Sequence, residues 1–163
     1  MALWEGQAIL LSVNKKKIYI RFGLVILWMS VIFMFSMQNG DQSSGTSGQL
    51  LARIGEWIGI DLIHLPIMDT LQFIVRKSAH MFSYFVLGIL SYRAVILLQP
   101  LKPYRYAALI TVIYACSDEL HQLFVPGRSG QIQDVFIDSL GMLVGFALIY
   151  IIKRIKNKRM NHN

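Results

Sequence analysis

Residues 18–37 read IYIRFGLVILWMSVIFMFSM, a run in which Arg21, near its start, is the single charge. A helix that crosses a bilayer needs about 20 predominantly apolar residues. This stretch therefore places the chain in a membrane and dictates α-helix, because lipid offers an open backbone no hydrogen-bond partners. Lys15, Lys16 and Lys17 before it resemble the n-region of a signal peptide. The apolar run is longer than the usual stretch of about 7–15 residues, however, and no A-x-A-like site follows, so it reads as an uncleaved anchor. The whole chain agrees: its 163 residues are 55% hydrophobic and only 15% charged, the length of one domain but too apolar for an ordinary soluble one. That excludes a disordered protein and argues against a water-soluble enzyme. Cys116, the single cysteine, lies inside an apolar run, so neither an intrachain disulfide nor a Cys-based zinc site is available.

Three further spans are expected at about residues 77–98, 104–124 and 132–152, each with charge near one end. The fold class is thus an all-α, integral membrane four-helix bundle. Residues 39–48, rich in Gly, Ser, Asp and Gln, read as a loop. After it Leu50, Ile54, Trp57 and Ile58 recur at helical spacing, which predicts a short interfacial helix ending near Gly59. Pro66 suits the first turn of the helix leading into the second span.

Positive charge sets the orientation. Twelve of the sixteen basic residues fall on one side: Lys15, Lys16, Lys17, Arg21, Arg93, Lys102, Arg105, Lys153, Arg154, Lys156, Lys158 and Arg159. Arg53, Arg76, Lys77 and Arg128 fall on the other. The positive-inside rule then makes both termini and the 99–103 loop cytoplasmic. The expected division is a cytoplasmic N-terminal segment at 1–17, a membrane domain at 18–152 and a basic cytoplasmic tail at 153–163. Because the cations flank apolar runs instead of forming a soluble basic face, they report topology, and no nucleic-acid partner is expected.

At about 1.5 Å per residue, Asp118 and Asp138 lie about 10 Å below the outer surface, with His80 and Asp134 shallower. Lys77, His80 and Tyr84 share a face of the second span, Asp118, His121 and Gln122 one of the third, and Asp134, Asp138, Gly141 and Gly145 one of the fourth. Isolated ions facing lipid are costly, so these faces should turn inward to one outer-leaflet zone. Gly141 and Gly145 form a GxxxG that would let the fourth span approach a neighbour closely. Arg76 and Lys77 at the expected start of a helix, and Asp118 and Glu119 toward the end of one, oppose their own helix dipoles. The expectation is that they pair with each other across the bundle. Pro126 and Gly127 make the outer turn between the last two spans and throw Arg128 back over the polar zone, whereas His64 lies in an outer loop without a visible partner.

Residues 75–84 (VRKSAHMFSY), residues 117–130 (SDELHQLFVPGRSG), and Asp134 with 138–141 (DSLG) together resemble the VanZ-like family, over roughly residues 18–152. Phe35, Ser36, Met37 and Gln38 look like that family's short polar signal after its first span, which brings Ser36 and Gln38 into the candidate site. The resemblance implies a small multi-spanning protein of the bacterial cytoplasmic membrane, in a family whose named member gives low-level resistance to the lipoglycopeptide teicoplanin. It brings no reaction with it.

Three functions fit these residues. The first is a pocket facing the outer leaflet for membrane lipids, lipid-linked envelope intermediates or an amphiphilic antibiotic. The second is a lipid-phosphate hydrolase or phosphotransferase, with His80 or His121 as nucleophile or general acid/base and Asp118 or Glu119 assisting. There Arg76, Lys77, Tyr84, Gln122, Arg128, Asp134 and Asp138 would hold the substrate. Against it, Arg76, Lys77 and Arg128 nearly cancel the four carboxylates, whereas a phosphomonoester site should be clearly positive. The third is an ion-pair network that only fixes the bundle or a partner protein. Asp118, Glu119, His121, Asp134 and Asp138 offer metal-type donors, but no HExxH or comparable zinc spacing is present. No metal is therefore assigned, and the sequence names neither a cofactor nor an oligomeric state.

Overall fold

The computed structural model describes residues 15–160, and every regular element in it is helical. The helices are α1 (Lys15–Ser36), α2 (Gly40–Ile58), α3 (Met68–Val95), α4 (Pro103–Gln122) and α5 (Ile132–Met160), with no strand among the described residues. The expected N-terminal segment up to residue 14, and residues 161–163 of the tail, lie outside the described residues.

Three of the helices, α1, α3 and α5, are long and apolar enough to cross a membrane. Only Val25, Ile32 and Ser36 of α1 are buried, while Ile26 is 63% exposed and Met34 69%. A helix apolar on every face but packed along one narrow seam needs lipid around the rest. The chain is a membrane protein on these grounds. In α4, Pro103 opens the helix, where its missing N–H is not needed. Asp118, Glu119, His121 and Gln122 crowd the end of α4, and it is not among the three apolar enough by composition alone.

The stretch expected as a loop at 39–48 is helical instead. Asn39 caps α2 with its side-chain oxygen, 2.8 Å from the Gln42 N–H it accepts. The Gln42 side chain accepts from the Asn39 N–H at 3.3 Å, closing a capping box. Ser43, Ser47, Leu51 and Gly55 are the buried stripe, so small side chains, poor helix formers in isolation, are kept helical by packing. The predicted apolar face points outward, with Trp57 88% exposed. The helix ends at Gly59 in a left-handed conformation, φ 74°. Pro66 falls in the turn before α3, not within its first turn.

Two glycine contacts fix how the bundle closes. A Cβ on Gly141 would collide with the carbonyl of Met81, and one on Gly145 would sit 2.8 Å from the carbonyl of Phe85. These contacts run in the same order along both chains, so α3 and α5 are parallel neighbours in near backbone contact, as the GxxxG spacing predicted. On the other side of α3, Val25 and Ile32 of α1 pack with Tyr84, Leu87 and Ala115. At the end rich in Lys and Arg, Arg21 donates to the Arg93 carbonyl at 2.6 Å, and Lys153 reaches the Tyr92 hydroxyl.

Gly141→Ala should therefore destabilise the protein by about 1–3 kcal/mol through overpacking. Gly23→Ala, where an added Cβ meets nothing within 4 Å, should instead gain about 0.5–1 kcal/mol from helix propensity. Thermal unfolding in detergent compares the two, and equal effects would contradict the α3–α5 contact.

Candidate functional site

The end of the bundle opposite Arg21 and Lys153 gathers polar side chains from all the helices and from the α4–α5 connection. Asp118 sits one turn from the end of α4 and is 3% exposed. Its Oδ2 accepts from Ser36 Oγ at the end of α1 (2.9 Å) and from Tyr84 of α3 and Gln122 of α4, each at 3.4 Å. Its Oδ1 is buried without a hydrogen-bond partner. Glu119, also buried, accepts from the Gln131 N–H at 2.9 Å through Oε2, and its Oε1 is unpartnered. Asp138 of α5 is fully enclosed with both oxygens unpartnered. His80 Nδ1 approaches one of them at 3.9 Å.

The cations turn elsewhere. Lys77 pairs with Asp134 in the first turn of α5, a carboxylate well placed for the dipole of that helix. Arg76 donates to Ser44 Oγ of α2 at 2.9 Å. Arg128, in the α4–α5 connection, donates through Nε to the Gln38 carbonyl at 3.0 Å, back over the polar zone as its Pro126-Gly127 turn predicted. Burial, reinforced by the neighbouring Arg76 guanidinium, presses its pKa below the ordinary value, against the pull of Asp118, Glu119 and Asp134. The turn itself is locked backbone to backbone: Gly40 donates to the Pro126 carbonyl at 3.1 Å, and Gly127 adopts φ 72°.

Two cavities meet at His80. A groove of about 450 Å³ runs between α1, α2 and α3, walled by Trp28, Ile32, Phe35, Leu50, Val75 and Phe82, with Arg76, His80 and Arg128 at its polar end. A smaller cavity of about 270 Å³ lies between Lys77, His80, Gln122, Arg128 and Asp134.

The chain matches the VanZ/LLP1 family over residues 22–153, most of its length. It belongs to that family. No curated protein and no solved structure matches it. The matched VanZ/LLP1 region contains the whole polar end of the bundle, from Ser36 to Asp138.

Two pairings expected from the sequence are replaced. Arg76 and Lys77 do not pair with Asp118 and Glu119. The reason is that α3 begins at Met68, so both cations lie more than two turns inside it, beyond the reach of an end effect that fades within one turn. His64 is not alone, since its Nδ1 lies 2.6 Å from Asp61 in the exposed α2–α3 connection, a hydrogen bond that lowers the Asp61 pKa. His121 leaves the cluster: its ring tilts against Phe33 at 4.7 Å between centroids, with Nδ1 buried and unpartnered. Trp28, Ser43, Ser44 and Ser47 join the site unannounced by any motif, although the four-residue spacing of Ser43, Ser47, Leu51 and Gly55 was the available signal.

The revised pairing has a direct check. A double-mutant cycle of Lys77→Met with Asp134→Asn should show a coupling of about 0.5–3 kcal/mol in thermal stability. The cycle of Lys77→Met with Asp118→Asn should be nearly additive. A larger coupling to Asp118 would restore the pairing expected from the sequence.

Proposed function

We propose that this VanZ/LLP1 protein lies in the bacterial cytoplasmic membrane with both termini inside and binds an anionic envelope amphiphile in the groove beneath α2. On this reading α1, α3, α4 and α5 are the four spans, and α2 lies in the outer interface with Leu50, Ile54, Trp57 and Ile58 toward lipid. The ligand is a lipid-linked envelope intermediate or a lipoglycopeptide of the teicoplanin type, and its capture gives resistance. The observation that carries this reading is the make-up of the groove: an apolar wall of chain-binding character ending at Arg76, Arg128 and His80, with no carboxylate along it. Two guanidiniums facing one space repel each other until an anion enters, and a forked donor suits phosphate or carboxylate. Pockets of this size with a few convergent polar groups are the usual form of small-ligand sites.

Hydrolysis or transfer of a lipid phosphate draws support from His80, which stands where the arginines and the carboxylates meet. Turnover of a lipid phosphate by the purified protein, absent in His80→Gln, would establish it.

Binding is tested with a long-chain alkyl phosphate against the corresponding alcohol, read by tryptophan fluorescence of the protein in detergent. The phosphate should bind about tenfold or more tighter, and Arg76→Gln should remove that preference, as loss of a charged hydrogen bond predicts. In cells the same substitution should lower protection against teicoplanin at unchanged protein level. Equal binding of alcohol and phosphate by the parent would refute an anion-selective groove.

Topology is a separate check. In a Cys116→Ala background, cysteines at Asp41 and Ser129 should react with an impermeant thiol reagent on intact cells, and one at Asn157 only after permeabilisation. Labelling of Asn157 alone on intact cells would reverse the orientation, and labelling of all three would refute the placement of α5's end opposite the α4–α5 connection.

A further inference from the structure

The carboxylates of Asp118, Glu119 and Asp138 are not absorbed by the groove. All three are more than nine-tenths buried, at 3%, 5% and 0% exposure. Four of their six oxygens, Asp118 Oδ1, Glu119 Oε1 and both of Asp138, have no hydrogen-bond partner. Buried polar atoms are nearly always satisfied, so such orphans in one place call for a missing partner. Among the described residues no lysine or arginine nitrogen lies within 4.0 Å of any of the three. Lys77 is taken by Asp134, Arg76 by Ser44 and Arg128 by a backbone carbonyl. The end of α4 adds the negative pole of its dipole to the same place.

One nitrogen of His80 and one oxygen each of Asp118 and Glu119 lie within 4.8 Å of one another. Donors on a common zinc at about 2.0–2.2 Å stand about 3.5 Å apart, so small side-chain rotations close this set on an ion. We propose that His80, Asp118 and Glu119, with Asp138 behind His80, form a site for a divalent transition metal of the Zn²⁺ or Mn²⁺ class. One imidazole with several carboxylate oxygens suits these borderline ions better than a soft metal that prefers thiolates. Asp138, 3.9 Å from His80 Nδ1, stands behind the imidazole, and a side-chain shift of about half an ångström would let it accept from the ring nitrogen, the way carboxylates commonly orient a ligating histidine. The cavity between Lys77, His80 and Gln122 borders the site at His80. The spacing rules for zinc missed this set because its donors come from different helices: α3 supplies His80, and α4 supplies Asp118 and Glu119 as sequence neighbours.

This inference does not depend on what fills the groove, and its test uses the metal alone. The full chain in detergent is stripped with EDTA and titrated with ZnCl₂ and with MnCl₂ by calorimetry, with bound metal counted by mass spectrometry. One equivalent of at least one ion should bind saturably and raise the melting temperature above that of the stripped protein. His80→Gln and Glu119→Gln should each weaken binding by about tenfold or more. His64→Gln, in the exposed Asp61–His64 pair, should leave it unchanged. His80→Gln removes no buried charge and keeps the test alive if Glu119→Gln does not fold. In the loaded parent, X-ray absorption at the metal edge should show a first shell of nitrogen and oxygen that includes imidazole. No saturable binding of either ion, or binding undiminished in His80→Gln, would overturn the site.

Discussion

The contact on which the rest of this structure depends is the approach of α5 to α3 at Gly141 and Gly145, where the backbone carbonyls of Met81 and Phe85 occupy the space of absent side chains. In lipid no hydrophobic drive favours one helix–helix contact over another, so small residues that admit close packing decide which helices touch. Because α3 and α5 run parallel, their first halves lie side by side. Lys77 then meets Asp134, and His80 meets Asp138. Without this approach the polar faces would stand at ordinary helix separation, each ion facing its own cost in lipid.

A second consequence is the sorting of charge. Summed over the site, cations and anions nearly cancel, which from sequence argued against an anion site. In space they part. Arg76 and Arg128 turn to the groove beneath α2, while Asp118, Glu119 and Asp138 are enclosed on the other side, with His80 on the boundary. The two halves differ in their charged groups, guanidiniums on one side and carboxyl groups on the other, with a single imidazole between them. A net charge taken over a whole cluster hides this, because electrostatics in a low-dielectric interior is decided by neighbours a few ångströms apart.

The part played by α2 follows from the same packing. Its serines and glycines, which in isolation favour turns, are helical because Asn39 caps them and because the stripe of Ser43, Ser47, Leu51 and Gly55 is buried. The polar stripe faces inward and the apolar one outward, the reverse of a helix on a soluble protein. Arg76 reaches Ser44 across that contact and forms the roof of the groove.

The sequence determined the membrane, the long apolar helices and their polar end, because these rest on properties carried by contiguous residues. The run 18–37 needs lipid whatever surrounds it, and Gly141 and Gly145 announce a close contact by spacing alone. The reversal at Pro126 and Gly127 is equally local, and it brought Arg128 over the polar end as predicted. The tertiary structure alone decided the partners. Lys77 goes to Asp134 and not to Asp118, since α3 starts nine residues before Lys77 and the dipole penalty inferred for Lys77 vanishes. Of the two histidines, equal on paper, His80 faces the carboxylates and His121 rests on Phe33, because their faces are set by the rotation of α3 and α4 in the bundle. Helical periodicity gives relative angles along one helix and says nothing of where its neighbours stand. That is why the candidate site was legible as a set of residues, and its division into a groove ending in arginines and a carboxylate cluster was not.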